Sequence, residues 1–231
     1  MSELCKWLHE QLDQLPILSY PFDRKQLPRN GIYFLYEKGE IWGHGGTRSR
    51  IVRIGTHRGS NFQSRIGEHF LLNESKMDFD ESKPKPSDRS ILRKHIGRAL
   101  LNREGDDYLD VWEKSFIPKK NRDRFKRQRD MKKEKKLEAL ISDILRTQFS
   151  FRFIIVEDQA TRMGCRGLEG ALISTVAQCG LCEPSARWLG RYSPKRQIRE
   201  SGLWLVNCLG EPGLDESGKK IFAQALEATR K

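Results

Sequence analysis

No stretch of the chain approaches the roughly 20 consecutive apolar residues that a membrane-spanning helix needs, and no membrane partner is expected. Met1 to Tyr20 intersperses Glu, Asp and Gln among its apolar residues, so it lacks the apolar core of a signal peptide. Cysteine is scarce: Cys5, Cys165, Cys179, Cys182 and Cys208 are an odd number in a chain without export signals. The expectation is reduced thiols in a cytoplasmic protein. Cys179 and Cys182 form one C-x-x-C, but no second close pair or His pair completes a usual zinc spacing, so ordinary buried thiols are expected. The G-x-x-x-x-G-K-[ST] pattern of a phosphate loop is missing, which leaves Gly43, Gly45 and Gly46 as turn residues. Repeats at solenoid periods are absent too.

Acidic residues are outnumbered. The chain has 43 Lys+Arg against 31 Asp+Glu in 231 residues, for a formal charge of +12. That balance points to a polyanionic partner, nucleic acid first, with a solvated basic surface as the alternative. The excess is local, because Lys114 to Lys136 holds twelve Lys+Arg against three Asp+Glu. The length suffices for a proper core and suggests one domain, 1–231, with insertions.

Apolar spacing sets the layout. Leu4, Trp7, Leu8, Leu12 and Leu15 form a helical stripe that Pro16 stops. Gly31 to Tyr36 reads as a strand, Lys38-Gly39 as a turn, Glu40 to Trp42 as a returning strand and Ile51 to Gly55 as a third. Asn61 is the expected N-cap of a helix to about Leu72. Ile91, Leu92, His95, Ile96, Ala99 and Leu100 mark another helix, and Leu137 to Leu145 anchors the basic segment to a core. Phe149 to Val156 is the next strand and Leu168 to Cys179 the next helix, with Glu169 beside its apolar stripe. A last helix is expected near Ser217.

The order of these pieces carries a resemblance. Gly31-Ile32-Tyr33 in a hairpin, Arg53-Ile54-Gly55 ending a strand, Arg65 and His69 on a helix and a later helical Glu169 together resemble the GIY-YIG nuclease superfamily. Arg53 to His57, Arg89 to Leu101, Pro184 to Gly190 and Ser201 to Asn207 look like a bacterial, restriction-endonuclease-like branch of it. The resemblance implies an α+β fold with a small, mainly antiparallel three-stranded sheet flanked by helices. Its core would cover about 29–72 and 149–180, with a basic helical insertion at about 88–147 and a C-terminal extension at 181–231. It also implies a Mg²⁺ (or Mn²⁺)-dependent endonuclease acting on double-stranded DNA, of restriction or defence type. A non-cleaving nucleic-acid-binding module and a structure-specific repair nuclease are the alternatives. Two departures stand out: Arg53 replaces the second tyrosine, and no asparagine follows the glutamate closely. Ser185 is the nearest polar candidate.

Phosphodiester hydrolysis needs an activated water, neutralisation of charge on the phosphate and stabilisation of the leaving oxygen. A phenol titrates at about 10, so Tyr33 as general base needs a neighbour, and His69 is placed to accept its proton. Arg65 and His69, four apart, fall on one helical face and would both meet one phosphate. Glu169 is the expected metal ligand. Arg53 is assigned to phosphate stabilisation and His57 to a DNA contact. For wider DNA binding the candidates are Arg122, Arg124, Lys126, Arg127, Arg129, Lys132 and Lys133 in the basic stretch, and Arg187, Arg191, Lys195 and Arg196 around Trp188 and Tyr192. The bland reading makes the first group a solvated helix face and the second the rim of an aromatic core.

Overall fold

The computed structural model describes residues 1–230. In chain order the elements are α1 (Ser2–Leu12), β1 (Leu18–Ser19), β2 (Ile32–Ile41), β3 (Ser49–Gly55), α2 (Phe62–Phe70), α3 (Ile91–Arg103), α4 (Leu109–Trp112) and α5 (Lys119–Phe125). They continue with α6 (Met131–Gln148), β4 (Phe149–Ile154), α7 (Gln159–Arg162), α8 (Leu168–Ala177), α9 (Arg196–Ser201) and α10 (Glu216–Arg230). The sheet is antiparallel, in the order β1-β4-β2-β3.

Side chains alternate across a strand, and β2 uses that alternation to fill two cores. Ile32, Phe34 and Tyr36 pack with residues of α1, α8 and α10, whereas Tyr33 and Leu35 pack with residues of α2, α3 and α6. The sheet is thus the middle of three layers, which is why its strands read as nearly continuous apolar runs. The same alternation sends Tyr33 toward α2. Tyr33 lies opposite Gly55 on β3 and Phe153 on β4, and Leu35 opposite Arg53. Arg53 and Gly55 therefore share Tyr33's face.

Three expectations are corrected. The sheet has four strands, because Leu18 and Ser19 pair with Phe151 and Ser150; two residues are too few to leave a periodic signal. Lys38-Gly39 is no turn: β2 runs through it, Gly39 takes φ +86°, and the register shifts there. The reversal comes at residues 42–48, where Trp42 N–H donates to the Arg48 carbonyl at 3.0 Å. Finally, the cysteines are not all thiols, since Cys165 and Cys208 form a disulfide with Cα atoms 5.0 Å apart across 43 residues. Only the return of the C-terminal segment beside the turn preceding α8 brings them together.

One buried ionic contact joins the helices on one side of the sheet, and another ties the C-terminal segment to the sheet itself. Arg93 on α3 bonds Glu138 of α6 (Nη2 to Oε2, 2.7 Å), Ser142 Oγ (2.8 Å) and the His69 carbonyl (3.2 Å), with both ionic side chains fully enclosed. On the other side Arg50 donates to Glu40 and to the Gly202 carbonyl, each at 2.6 Å. Next to that pair Glu37 accepts both indole N–H groups of Trp188 and Trp204 at 3.0 Å. Trp204 N–H then donates to the Val52 carbonyl at 2.8 Å, so the chain near 204 lies along β3 without forming a strand.

Burial pushes the Glu37 carboxyl up to about 7, more than the two indoles pull it down. The folded state therefore holds this proton more tightly than the unfolded chain. The resulting stability is fully present below the unfolded pKa of about 4.3 and is lost as pH rises through about 7, an amount on the order of 3 kcal/mol. Urea unfolding of Glu37→Gln at a series of pH values is expected to show a shallower loss of stability across that window than the parent; parallel curves would assign the pH dependence to other groups.

Candidate active site

Tyr33 is held from three sides. Its Oη lies 2.8 Å from His69 Nε2 and 3.4 Å from Arg53 Nε, which donates to it. The third side is backbone: a Cβ on Gly55 would sit 2.3 Å from the same oxygen, so only glycine admits the ring there. Gly31 is equally constrained, because a Cβ would come within 2.5 Å of the Ile154 carbonyl oxygen on β4. The glycines of both motifs are thus steric requirements of the tyrosine's setting.

His69 projects from the last turn of α2 into the protein and is fully buried. Its Nδ1 meets Ser90 Oγ at 2.7 Å, and Ser90 is the N-cap of α3, accepting from Arg93 N–H. Burial first, then the positive charges of Arg65, Arg53 and Arg93, holds the imidazole well below its usual range. It is neutral at pH 7. If Nδ1–H is given to Ser90, Nε2 is free to take the phenol's hydrogen bond. With both nitrogens committed, His69 does not face a phosphate, contrary to the expectation from its spacing with Arg65.

Arg65, one turn earlier, points outward into a cavity of about 380 Å³ that it lines with Thr56, His57, Arg58 and Glu68. Its Nη1 donates to the Arg89 carbonyl at 3.1 Å and lies 3.5 Å from Glu68, while Nε is buried without a partner among the described residues. His57 behaves alike: Nδ1 accepts Asn61 N–H at 3.1 Å, and Nε2 has no partner among them either. Burial lowers its pKa, so a neutral ring leaves Nε2–H as donor. The charge and donors of Arg65, His57 and Arg58 around one cavity suit a phosphate oxygen.

Glu169 occupies the first turn of α8, where Oε1 accepts Thr56 N–H (3.1 Å) and Oε2 accepts Gly164 N–H (3.2 Å). Burial raises its pKa, against the pull of the Gly164 N–H and of Arg53. It faces a second cavity of about 550 Å³ lined by Arg53, His95 and Asn207. Each carboxylate oxygen keeps a lone pair, and a hard oxygen donor with room for water fits a divalent cation such as Mg²⁺. Thr56 lines one cavity and binds the carboxylate of the other, so the two adjoin across Glu169.

Arg53 is nearly enclosed, with Nη1 donating to the Trp204 carbonyl. The segment near residue 204 thus supplies this guanidinium with an acceptor. That segment also brings Asn207, an exposed residue at the cavity, which sequence spacing alone does not assign. His95, by sequence only a member of a helix stripe, lines the same cavity and accepts from Arg98 at 2.9 Å. Burial, then Arg98 and Arg53, brings it down to about 3. Ser90 is likewise missed by sequence reasoning; its position just before the α3 stripe is the only signal.

Several expected residues lie elsewhere. Ser185 donates to Glu40 at 2.5 Å and is part of the buried Arg50 contact, so it is not the missing site residue. Arg129 is sealed in a pair with Glu134 at 2.6 Å and donates to the Asp80, Glu81 and Lys83 carbonyls; it cannot reach DNA. Arg122 turns back onto the Phe116 and Ile117 carbonyls, and Lys133 pairs with Asp106. Arg124, Lys126, Arg127 and Lys132 are exposed. In the second cluster Trp188 is buried against Glu37 and offers no stacking face. Arg187 is exposed, Arg191 bonds the Pro184 and Ser185 carbonyls, Lys195 lies 3.8 Å from Glu113 and Arg196 pairs with Glu200.

A strand tyrosine meeting a helical histidine, an arginine one turn away and a glutamate opening a later helix, all beside one antiparallel sheet, is the arrangement of a GIY-YIG fold. A family model described as GIY-YIG domain matches residues 2–231, and the chain belongs to that family, one of nucleases. No curated protein and no solved structure matches the chain at a significant level.

The contact at Gly55 is directly testable. Gly55→Ala would displace the Tyr33 hydroxyl by about 1 Å, a shift that costs a catalytic group about 100-fold in rate. If Tyr33 acts in the chemistry, turnover is expected to fall by at least that factor, with a lowered melting temperature because the new methyl overpacks a buried ring; unimpaired turnover would remove Tyr33 from the chemistry.

Proposed function

We propose that the chain is a single-domain, Mg²⁺-dependent (or Mn²⁺-dependent) endonuclease that hydrolyses phosphodiester bonds of double-stranded DNA, in a restriction or defence role. The observation that carries the reading is the juxtaposition of the Tyr33–His69 hydrogen bond, the donor-lined cavity of Arg65 and His57, and the half-satisfied carboxylate of Glu169.

In this reading Arg65 and His57 seat the phosphate in the cavity they line, and Glu169 would hold the cation. The cation supplies charge neutralisation at the phosphate and the leaving 3′ oxygen. Tyr33 passes its phenol proton to Nε2 of neutral His69 as it takes a proton from the attacking water, and Ser90 Oγ meets the other imidazole nitrogen at 2.7 Å. Arg53 donates to the phenol oxygen and shares a cavity with Glu169, so it stabilises negative charge on either side. Because Tyr33 is only 1% exposed, its hydroxyl must become accessible when DNA binds.

That same enclosure favours a second reading, a DNA-binding module that does not cleave. The experiment is incubation of the protein with varied duplexes, junctions and flaps, with Mg²⁺ or with chelator, alongside Glu169→Ala and Tyr33→Phe. Metal-dependent cleavage lost in both variants, with binding retained in Tyr33→Phe, is expected. Intact DNA in every lane would leave only the binding module. Preference for junctions or flaps would move the role to repair.

Affinity beyond the site rests on the basic surface. Charge reversal of the exposed Lys126, Arg127 and Lys132 is expected to weaken binding and lower the slope of log affinity against log salt by up to about 3, one for each phosphate no longer neutralised. Arg129→Ala is expected to lower stability instead, because it strands Glu134. An unchanged salt slope would return the exposed residues to a solvated face.

A further inference from the structure

Far from the carboxylate of Glu169, the other end of α8 runs into the C-x-x-C of Cys179 and Cys182, and three buried sulfurs gather there. Cys5 of α1, Cys179 and Cys182 are free thiols, and His44 of the loop between β2 and β3 joins them. One ligand atom from each lies within 4.8 Å of all the others. We propose that Cys5, His44, Cys179 and Cys182 form a structural zinc site of the Cys₃His type.

Two of the six separations match the edges of a tetrahedron around zinc, and all six lie within 4.8 Å. Zn–S bonds of about 2.3 Å at tetrahedral angles place two sulfurs about 3.8 Å apart, and a sulfur and an imidazole nitrogen slightly closer. Cys5 Sγ and Cys182 Sγ are 3.8 Å apart, and Cys179 Sγ is 3.4 Å from His44 Nε2. The first separation is far from a disulfide's S–S bond of about 2.05 Å, so the pair is unbonded while Cys165 and Cys208 are joined.

The surroundings choose the ligands. His9 is nearby, but its Nδ1 is engaged by the Cys5 carbonyl (2.8 Å) and its Nε2 accepts Ile51 N–H (3.2 Å), so both nitrogens are occupied. The His44 ring, by contrast, turns its Nε2 to Cys179. The loop reaches the cysteines because position 43 is glycine: a Cβ there would lie 1.6 Å from the Leu181 carbonyl oxygen, between the two cysteines. Gly43 N–H lies 3.5 Å from Cys182 Sγ, a donor that steadies a thiolate.

Zinc would take all three cysteines as thiolates, with release of their three protons, and His44 as a neutral ligand. Four protein ligands leave no open position, so the site is structural and offers nothing to a substrate. Thiolate and imidazole donors also separate it from the hard oxygen site of Glu169, about 15 Å away along ten residues of chain at helical rise. The inference is independent of the nuclease reading.

The full chain, purified without chelator or metal-affinity resin, is expected to carry close to one zinc per molecule by plasma mass spectrometry. Glu169→Ala should keep it, whereas His44→Ala and the double variant Cys179→Ser/Cys182→Ser should lose most of it. Replacement of zinc by Co²⁺ in the parent should give the visible bands of tetrahedral cobalt with a sulfur-to-metal charge-transfer band, a readout that needs no variant to fold. Parent protein that takes up neither metal after equilibration under reducing conditions would overturn the proposal. So would zinc retained undiminished in the double cysteine variant.

Discussion

The hydrogen bond between Tyr33 Oη and His69 Nε2 is the contact around which the rest of the site is arranged. A phenol is useful only if its hydroxyl is fixed, and here every neighbour contributes to fixing it. Gly55 lets the ring lie against β3, and Ser90 Oγ meets the other imidazole nitrogen from beyond. Arg93, anchored by Glu138 and Ser142, holds the backbone on which His69 sits. A buried guanidinium needs such complete pairing to be tolerated at all. The segment between α2 and β4 therefore supports the candidate site from behind, whatever its exposed basic face does with DNA.

Arg53 shows the complementary constraint from the C-terminal side. An arginine cannot stand in for a tyrosine by chemistry alone, because it has donors and no acceptor. It fits because Trp204 offers a carbonyl, and Trp204 is where it is because its indole and that of Trp188 converge on Glu37. The setting of Arg53 on β3 and the path of the chain near 204 are therefore coupled through these contacts.

What can be read in the sequence follows the range of the interactions. The order of elements, the i,i+4 placement of Arg65 and His69 and the opening-turn position of Glu169 are local patterns and are legible. Their directions are not: Arg65 and His69 diverge, one into a cavity and one into the core, because α2 is sandwiched between β2 and α3. Arg129 resembles its exposed neighbours in sequence but is consumed by Glu134 and three loop carbonyls. Ser185 is the nearest polar candidate along the chain, whereas Asn207 is the residue at the cavity. The disulfide and the sulfur cluster both join segments far apart in the chain, and no spacing rule addresses such pairs.

The buried tether from Arg93 to the His69 backbone also bears on how such a protein can change over time. A core of residues 30–72 and 149–180 looks separable on paper, with the intervening helices as an accessory acquired later. Yet excising those helices would strip His69 of its hydroxyl partner and its carbonyl of a cation, leaving the imidazole free to rotate. The helices between α2 and β4 thus reach the candidate site itself, through Ser90 and Arg93 on either side of His69.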